Sequence, residues 1–143
     1  MYYSGKKKKH TLKIQLVADA STLDVLCIFV GKGSQHDFSI FKNSKVHILN
    51  SIWAYTDKAY QGLCKLHGSS LVPIKATKNH KLSSEEKKYN SIISKTKIYI
   101  EHINRYIKRF RILSSRYRNR RKRFGLRVSL ICGIYNFQHR QQG

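Results

Sequence analysis

Acidic side chains are scarce in this chain: 7 Asp and Glu stand against 29 Lys and Arg, a net charge of +22. That shortage argues against basic partners and makes polyanions the default, because each phosphate neutralised releases condensed counterions. Proline occurs once, and 41% of residues are hydrophobic, which argues against global disorder. No C-x-x-C occurs, and Cys27, Cys64 and Cys132 are odd in number and far apart, so neither a disulfide framework nor a zinc ribbon is supported. Cys64 and His67 have a ligand-like spacing, but a small buried thiol beside a surface histidine is the favoured reading. Long apolar runs are missing too. The longest, residues 25–30, falls far short of the roughly 20 residues that span a bilayer. No apolar segment follows Lys6 to Lys9, so no secretory signal is expected there. The expectation is a reduced, cytoplasmic, nucleoid-associated protein with no membrane partner. Its 143 residues suffice for a single domain with a real core.

What is there reads as alternating strands and helices. Residues 12–16 alternate with period two, and residues 23–30 are a nearly continuous apolar, β-branched run. With turn chemistry between them they predict an antiparallel hairpin, its second strand the more deeply buried. Asp37 precedes Phe38, Ile40 and Phe41, which suits a short helix with Asp37 near its N-cap. Residues 51–56 read as a strand delivering Asp57 at its C-terminal end, and residues 71–74 as another, placed at an edge by Pro73. The helical turns expected between them imply parallel pairing. Ser83 and Glu86 form a capping box. From there Tyr89, Ile92, Thr96, Tyr99, Ile100, Ile103, Ile107 and Phe110 predict one apolar face of a helix about seven turns long. After an Arg-rich link, residues 126–137 predict a final helix with Leu126, Leu130, Ile134 and Phe137 on one side. The whole is an α/β arrangement, helices packed on a mixed sheet.

In so basic a chain each carboxylate invites a reason. No acid follows Glu101, whereas Lys and Arg continue to Arg140. At helical spacing Lys97, Glu101, Asn104 and Lys108 share a stripe roughly opposite the apolar face. The bland reading is a solvated Lys97–Glu101 pair worth ~0.3–0.5 kcal/mol. For Asp57 it is a turn residue or helix cap. The sharper reading is that two acids embedded in positive potential hold a divalent metal against a nucleic-acid phosphate.

Several stretches together carry a resemblance. They are Tyr3-Ser-Gly-Lys-Lys-Lys-Lys-His10, Gly33-Ser-Gln-His36-Asp37, Asp57-Lys-Ala-Tyr60-Gln-Gly62, Glu86-Lys-Lys-Tyr89-Asn90, Glu101-His102, and Phe110 through the Arg cluster to Arg127. In combination these resemble the DDE transposases of the fifth bacterial insertion-sequence family, related to the Harbinger-type nucleases of eukaryotes. The resemblance implies an RNase H-like mixed sheet with flanking helices. It also implies two Mg²⁺ (or Mn²⁺) ions held by three carboxylates, and DNA as substrate at both transposon ends and target. Asp57 would be the second carboxylate and Glu101 the third, both as catalytic and metal-binding residues. Lys97, where the family usually has Arg, would orient Glu101 or neutralise phosphate. Lys108 would contact the backbone of the transposon end. Within a basic DNA-binding segment, residues 105–127, phosphate contacts are expected from Arg116, Arg118, Arg120, Arg121, Lys122 and Arg123. His36, Asp37 and Tyr60 belong to the structural motif, with Asp37 read as a helix cap.

Two departures stand out. Ala59 replaces the usual Gly after the second acid. The family's first catalytic Asp lies on a strand just before Tyr3-Ser-Gly, so the expectation is a fragment lacking that first strand and inactive by itself. A homo-oligomer in a transposition complex is left open. The competing reading is a non-catalytic basic nucleic-acid-binding protein, for which both acids are dispensable.

Overall fold

The structure is a computed structural model and describes residues 3–4, 9–114 and 121–142. Its contacts cluster into two compact units, residues 1–35 with 99–143, and residues 36–98.

In the first unit, β1 (Tyr3–Ser4) pairs antiparallel with β2 (Lys9–His10), and β3 (Leu12–Ala18) with β4 (Val25–Lys32). The β3–β4 register shifts between Val17 and Ala18 as the strands enter their turn. Asp19 organises that turn: its Oδ1 accepts from the Ser21 backbone N–H at 2.7 Å and the Thr22 N–H at 2.9 Å, an Asx-type closure. α4 (Phe124–Gln142) lies on the hairpin. The core joins Val25 to Ile103, Ile107, Phe124, Val128, Ile131, Cys132 and Tyr135, with Leu12, Ile14, Leu16 and Ile28 packed against it. Polar clamps fix the register of helix on strand. The Asn136 amide donates to the Val25 carbonyl at 2.9 Å and accepts from the Val25 N–H at 2.8 Å, satisfying a strand end as a ladder partner would. Arg140 lays its guanidinium fork on the buried Asp24 carboxylate, 2.7 Å at the shortest contact.

Two expectations fail here. β4 is not the more deeply buried strand: Leu26 and Val30 are 64% and 37% exposed, since the helical layer covers one face of the hairpin. On α4 the apolar side grouped from the sequence does not form the core, with Leu126 72%, Leu130 66% and Phe137 67% exposed and Ile134 half-buried. Val128, Ile131, Cys132 and Tyr135 are buried instead. This helix carries apolar residues around most of its circumference, so periodicity alone defines no unique inner face.

In the second unit, α1 (Asp37–Ser44) starts at His36, whose Nδ1 accepts the Phe38 N–H at 3.4 Å. His36, rather than Asp37, is therefore the N-cap, and Asp37 supplies the first-turn negative charge. β5 (Ala54–Tyr55) pairs parallel with β6 (Ser70–Leu71), as the crossover between them requires. Both strands are shorter than the sequence suggests, and β6 ends before Pro73, which has no N–H for a ladder. Two short 3₁₀ turns, Lys58–Tyr60 and Leu63–Lys65, make the crossover. His67 reverses the expectation for its neighbourhood. It is buried and Cys64 exposed, because Nε2–H can donate to the Leu49 carbonyl at 3.0 Å while Nδ1 meets the Ser70 hydroxyl at 2.8 Å.

The motif glycines answer to close packing. A Cβ on Gly62 would lie 2.4 Å from the Phe38 ring, and one on Gly33 would lie 2.8 Å from the Thr11 carbonyl oxygen. Neither position has room for a side chain.

α2 (Ser84–Ile107) contributes residues to both units, the division falling after Ile98. Its capping box forms: Ser83 N–H donates to Glu86 Oε2 at 2.7 Å, and Glu86 N–H to Ser83 Oγ at 3.2 Å. Asn90 then clamps the Ile74 N–H and carbonyl at 2.8 and 3.0 Å. The buried residue of its first half is Ile93, with Ile92 62% and Tyr99 48% exposed, so the inner stripe lies one residue from the expected one. α3 (Arg111–Ser114) follows.

The acid groups make the fold sensitive to low pH. Hydrogen bonds from Ser21 and Thr22 hold the Asp19 carboxyl down from 3.8 to about 2. Asp24 is lowered by Arg140, Asp57 by Lys97, and Glu86 by the Ser83 N–H. A carboxyl whose folded pKa is depressed stabilises the fold above its unfolded pKa and loses that contribution as pH falls through the folded value. The urea midpoint should therefore be flat above about pH 5 and decline steadily from about pH 4 toward pH 2. A midpoint unchanged at pH 3 would contradict these assignments.

Candidate active site

Asp57 leaves β5 in extended conformation, φ −88° and ψ 165°, and caps the 3₁₀ turn that follows. Its Oδ1 accepts the Lys58 N–H and, from α2, the Lys97 ammonium, each at 2.5 Å. The bland reading of Asp57 as a cap is thus true of its backbone role, and a second, long-range contact is added to it. The Asp57 side chain is 60% exposed and that of Lys97 is 28% exposed. Oδ2 receives no hydrogen bond from a described residue. Lys97 above all, then the Lys58 N–H, holds the carboxyl below the usual range against an opposing push from burial. The group is an anion at neutral pH with one oxygen immobilised and one uncommitted.

The partner of Lys97 differs from the one its spacing suggested. The one-residue shift of the inner stripe turns Lys97 inward, and its ammonium goes to Asp57 rather than to Glu101 one turn along. Glu101 is exposed, and its carboxylate takes no ion pair or hydrogen bond from a described residue.

Of the motif residues, Tyr60 lies near enough to both Asp37 and Asp57 to feel their charges, and His36 caps α1. The Tyr60 ring meets Phe41 edge to face, centroids 6.3 Å apart. Burial first, then the charges of Asp37 and Asp57, push its hydroxyl up to about 12. Tyr60 therefore stays a neutral phenol at neutral pH. Lys108, Lys122 and Arg123 are exposed, and Arg121 opens the 3₁₀ turn Arg121–Arg123. Arg116, Arg118 and Arg120 lie outside the described residues.

Removing the ammonium gives a direct check on the Asp57 contact. Lys97→Met should return the Asp57 carboxyl toward 3.8, read by NMR titration of its side-chain carbon. The loss of stability should stay within about 1 kcal/mol, since the pair is partly solvated. An unmoved titration would show that Lys97 does not hold Asp57.

For a divalent cation, exposed carboxylate oxygens are the right donor type. Asp57, with its free Oδ2, fits such a role. Among the described residues no group of three or more His, Cys, Asp or Glu side chains comes together, so these contribute no complete ligand set by themselves. No helix among the described residues is long and apolar enough to cross a membrane.

Comparison with known proteins bears on this arrangement. A family profile described as DDE superfamily endonuclease matches residues 1–136. A probable transposase for insertion sequence element IS702, from Microchaete diplosiphon, is 47% identical over 137 residues, covering 96% of this chain and 50% of that protein. The chain thus spans about half the length of this relative. No solved structure matches.

Proposed function

This chain belongs to the DDE superfamily endonucleases, and from that premise we propose that it supplies part of the catalytic site of an insertion-sequence transposase. Endonucleases of this superfamily use divalent metal ions. In this reading Asp57 and Glu101 are the second and third carboxylates of an RNase H-like site that takes Mg²⁺ or Mn²⁺, two ions when complete. The protein acts on DNA in the bacterial nucleoid, assembling as a homo-oligomer on transposon ends. The observation that carries the reading is the Asp57 carboxylate at the end of a parallel strand, anionic, with one oxygen fixed by Lys97 and the other open. Among the described residues the strands form three separate two-stranded sheets, antiparallel β1–β2 and β3–β4 and parallel β5–β6, rather than the one mixed sheet expected, so the RNase H-like assignment rests on family membership.

Each residue has a defined share. When bound, the metal polarises the phosphodiester and sharpens an oxygen nucleophile. Asp57 offers Oδ2 while Lys97 fixes its torsion, so little side-chain freedom is lost on binding. Tyr60, un-ionised, adds no charge of its own beside Asp57. Glu101 supplies an uncommitted carboxylate on α2, four residues after Lys97. Lys108, Lys122, Arg123 and the Arg116 to Arg121 cluster bind phosphate, positioning the strand without reading bases.

Mn²⁺ titration of the chain with duplex DNA present, followed by water-proton relaxation, tests the assignment. Saturable binding that Mg²⁺ displaces is expected. A purely basic binding protein predicts none, and that result would remove the catalytic reading.

A further inference from the structure

We propose that the cleft between the end of α2 and the last turns of α4 binds an unpaired base of a DNA strand. The inference rests on the reading that the chain works on DNA, but uses none of the carboxylates. The cleft has a volume of about 760 Å³ and is lined by Tyr106, Arg109, Phe110, Phe137, Gln138 and Gln141 among others. That is within the roughly 300–1,000 Å³ of ordinary ligand clefts, with room for a base and its sugar.

The wall chemistry selects the ligand. Tyr106 is held against the buried Tyr135, ring centroids 5.1 Å apart and steeply inclined, so its plane is set before anything binds. Phe110 stands 6.4 Å from Tyr106, and the Arg109 guanidinium lies 5.3 Å above the Tyr106 ring. Phe137 is 67% exposed, an energetically odd position for an aromatic ring unless something flat covers it. The three lining glutamines, Gln138, Gln141 and Gln142, carry amide donors and acceptors that match the edges of bases, adenine above all. None of the lining residues is acidic, and Arg105, Lys108 and Arg111 are exposed nearby in sequence. An apolar peptide anchor would use the rings and waste the amides and the cation. A base uses all three, through its π face, its polar edge and the phosphate attached to it. In a duplex the faces of the bases are stacked on one another, so only an unpaired nucleotide can enter.

The experiment uses the intact chain and a short single-stranded oligodeoxynucleotide carrying one 5-iodouracil, with the matching duplex alongside. Irradiation should attach the strand to peptides containing Tyr106, Phe110 or Phe137. Phe137→Ala, at an exposed position, should weaken single-strand binding about tenfold, the weight of one base–aromatic stack, while leaving duplex binding unchanged. Phe137→Tyr should restore it. Crosslinks elsewhere, or equal effects of Phe137→Ala on both DNA forms, would overturn the proposal. If duplex DNA binds and the single strand misses the cleft, this inference alone fails. If neither DNA form binds, the DNA reading fails with it.

Discussion

Asp57→Ala should weaken Mn²⁺ binding by about 100-fold or more while leaving DNA affinity intact or slightly raised. Loss of the groups that merely support metal ligands typically costs 10- to 100-fold, so loss of a direct ligand belongs at or beyond the top of that range. The split between the two readouts is what makes the variant informative. Removing a carboxylate from a chain of net charge +22 adds to its attraction for phosphate, so a basic binding protein would show no loss of any kind. The variant also releases Lys97, whose ammonium loses its 2.5 Å partner and gains freedom to bind phosphate. Because the Asp57 side chain is 60% exposed, its removal leaves no cavity, and a large drop in metal affinity cannot be attributed to unfolding. Glu101→Gln should behave in parallel, being an exposed residue too. Unchanged Mn²⁺ affinity in both variants would defeat the assignment of both carboxylates.

Duplex DNA affinity should fall by about 10³-fold or more between 50 and 200 mM salt. Binding through several phosphate contacts releases a counterion at each, so log Kd should rise linearly with log salt, with a slope near 0.9 per phosphate. Lys108, Lys122 and Arg123 are exposed, and Lys and Arg run unbalanced from Glu101 to Arg140. Not every cation is available: Arg140 is committed to Asp24, and Lys97 to Asp57. Lys108→Gln should lower the slope by about one and weaken every DNA sequence alike, as a backbone contact does. A fluorescence-anisotropy series in salt checks both. A shallow slope, equivalent to one or two phosphates, would remove the extended DNA-binding face of the account.

The sequence made those features legible whose cause is local. The capping box at Ser83 and Glu86, the hairpin of β3 and β4, and the parallel pairing forced by the short crossover each follow from a few adjacent residues. What it hid depends on distant partners. On α2, the apolar positions admit two neighbouring stripes about 100° apart, one through Ile92 and one through Ile93. Asp57, forty residues upstream in sequence, takes the Lys97 ammonium on the inner of the two. On α4 apolar residues on both sides erase the periodic signal, and the deciding contacts are Asn136 on Val25 and Arg140 on Asp24. His67 looked like a surface group because nothing local announces the Leu49 carbonyl and Ser70 hydroxyl that satisfy its ring. The candidate acids were visible for the opposite reason. In so basic a chain they are rare enough to be noticed singly.

The claim at the centre of this account is that Asp57 and Glu101 share one metal site. Replacing Mg²⁺ by Fe²⁺ and adding ascorbate and peroxide generates hydroxyl radicals at the bound metal, which cut the polypeptide within a few ångströms of it. With DNA bound, the account predicts paired backbone cuts around residue 57 and around residue 101, both suppressed by excess Mg²⁺ and both lost in Asp57→Ala. Cuts at one of these places without the other would show that the two carboxylates do not meet at a common ion, and the transposase site proposed for this chain would have to be abandoned.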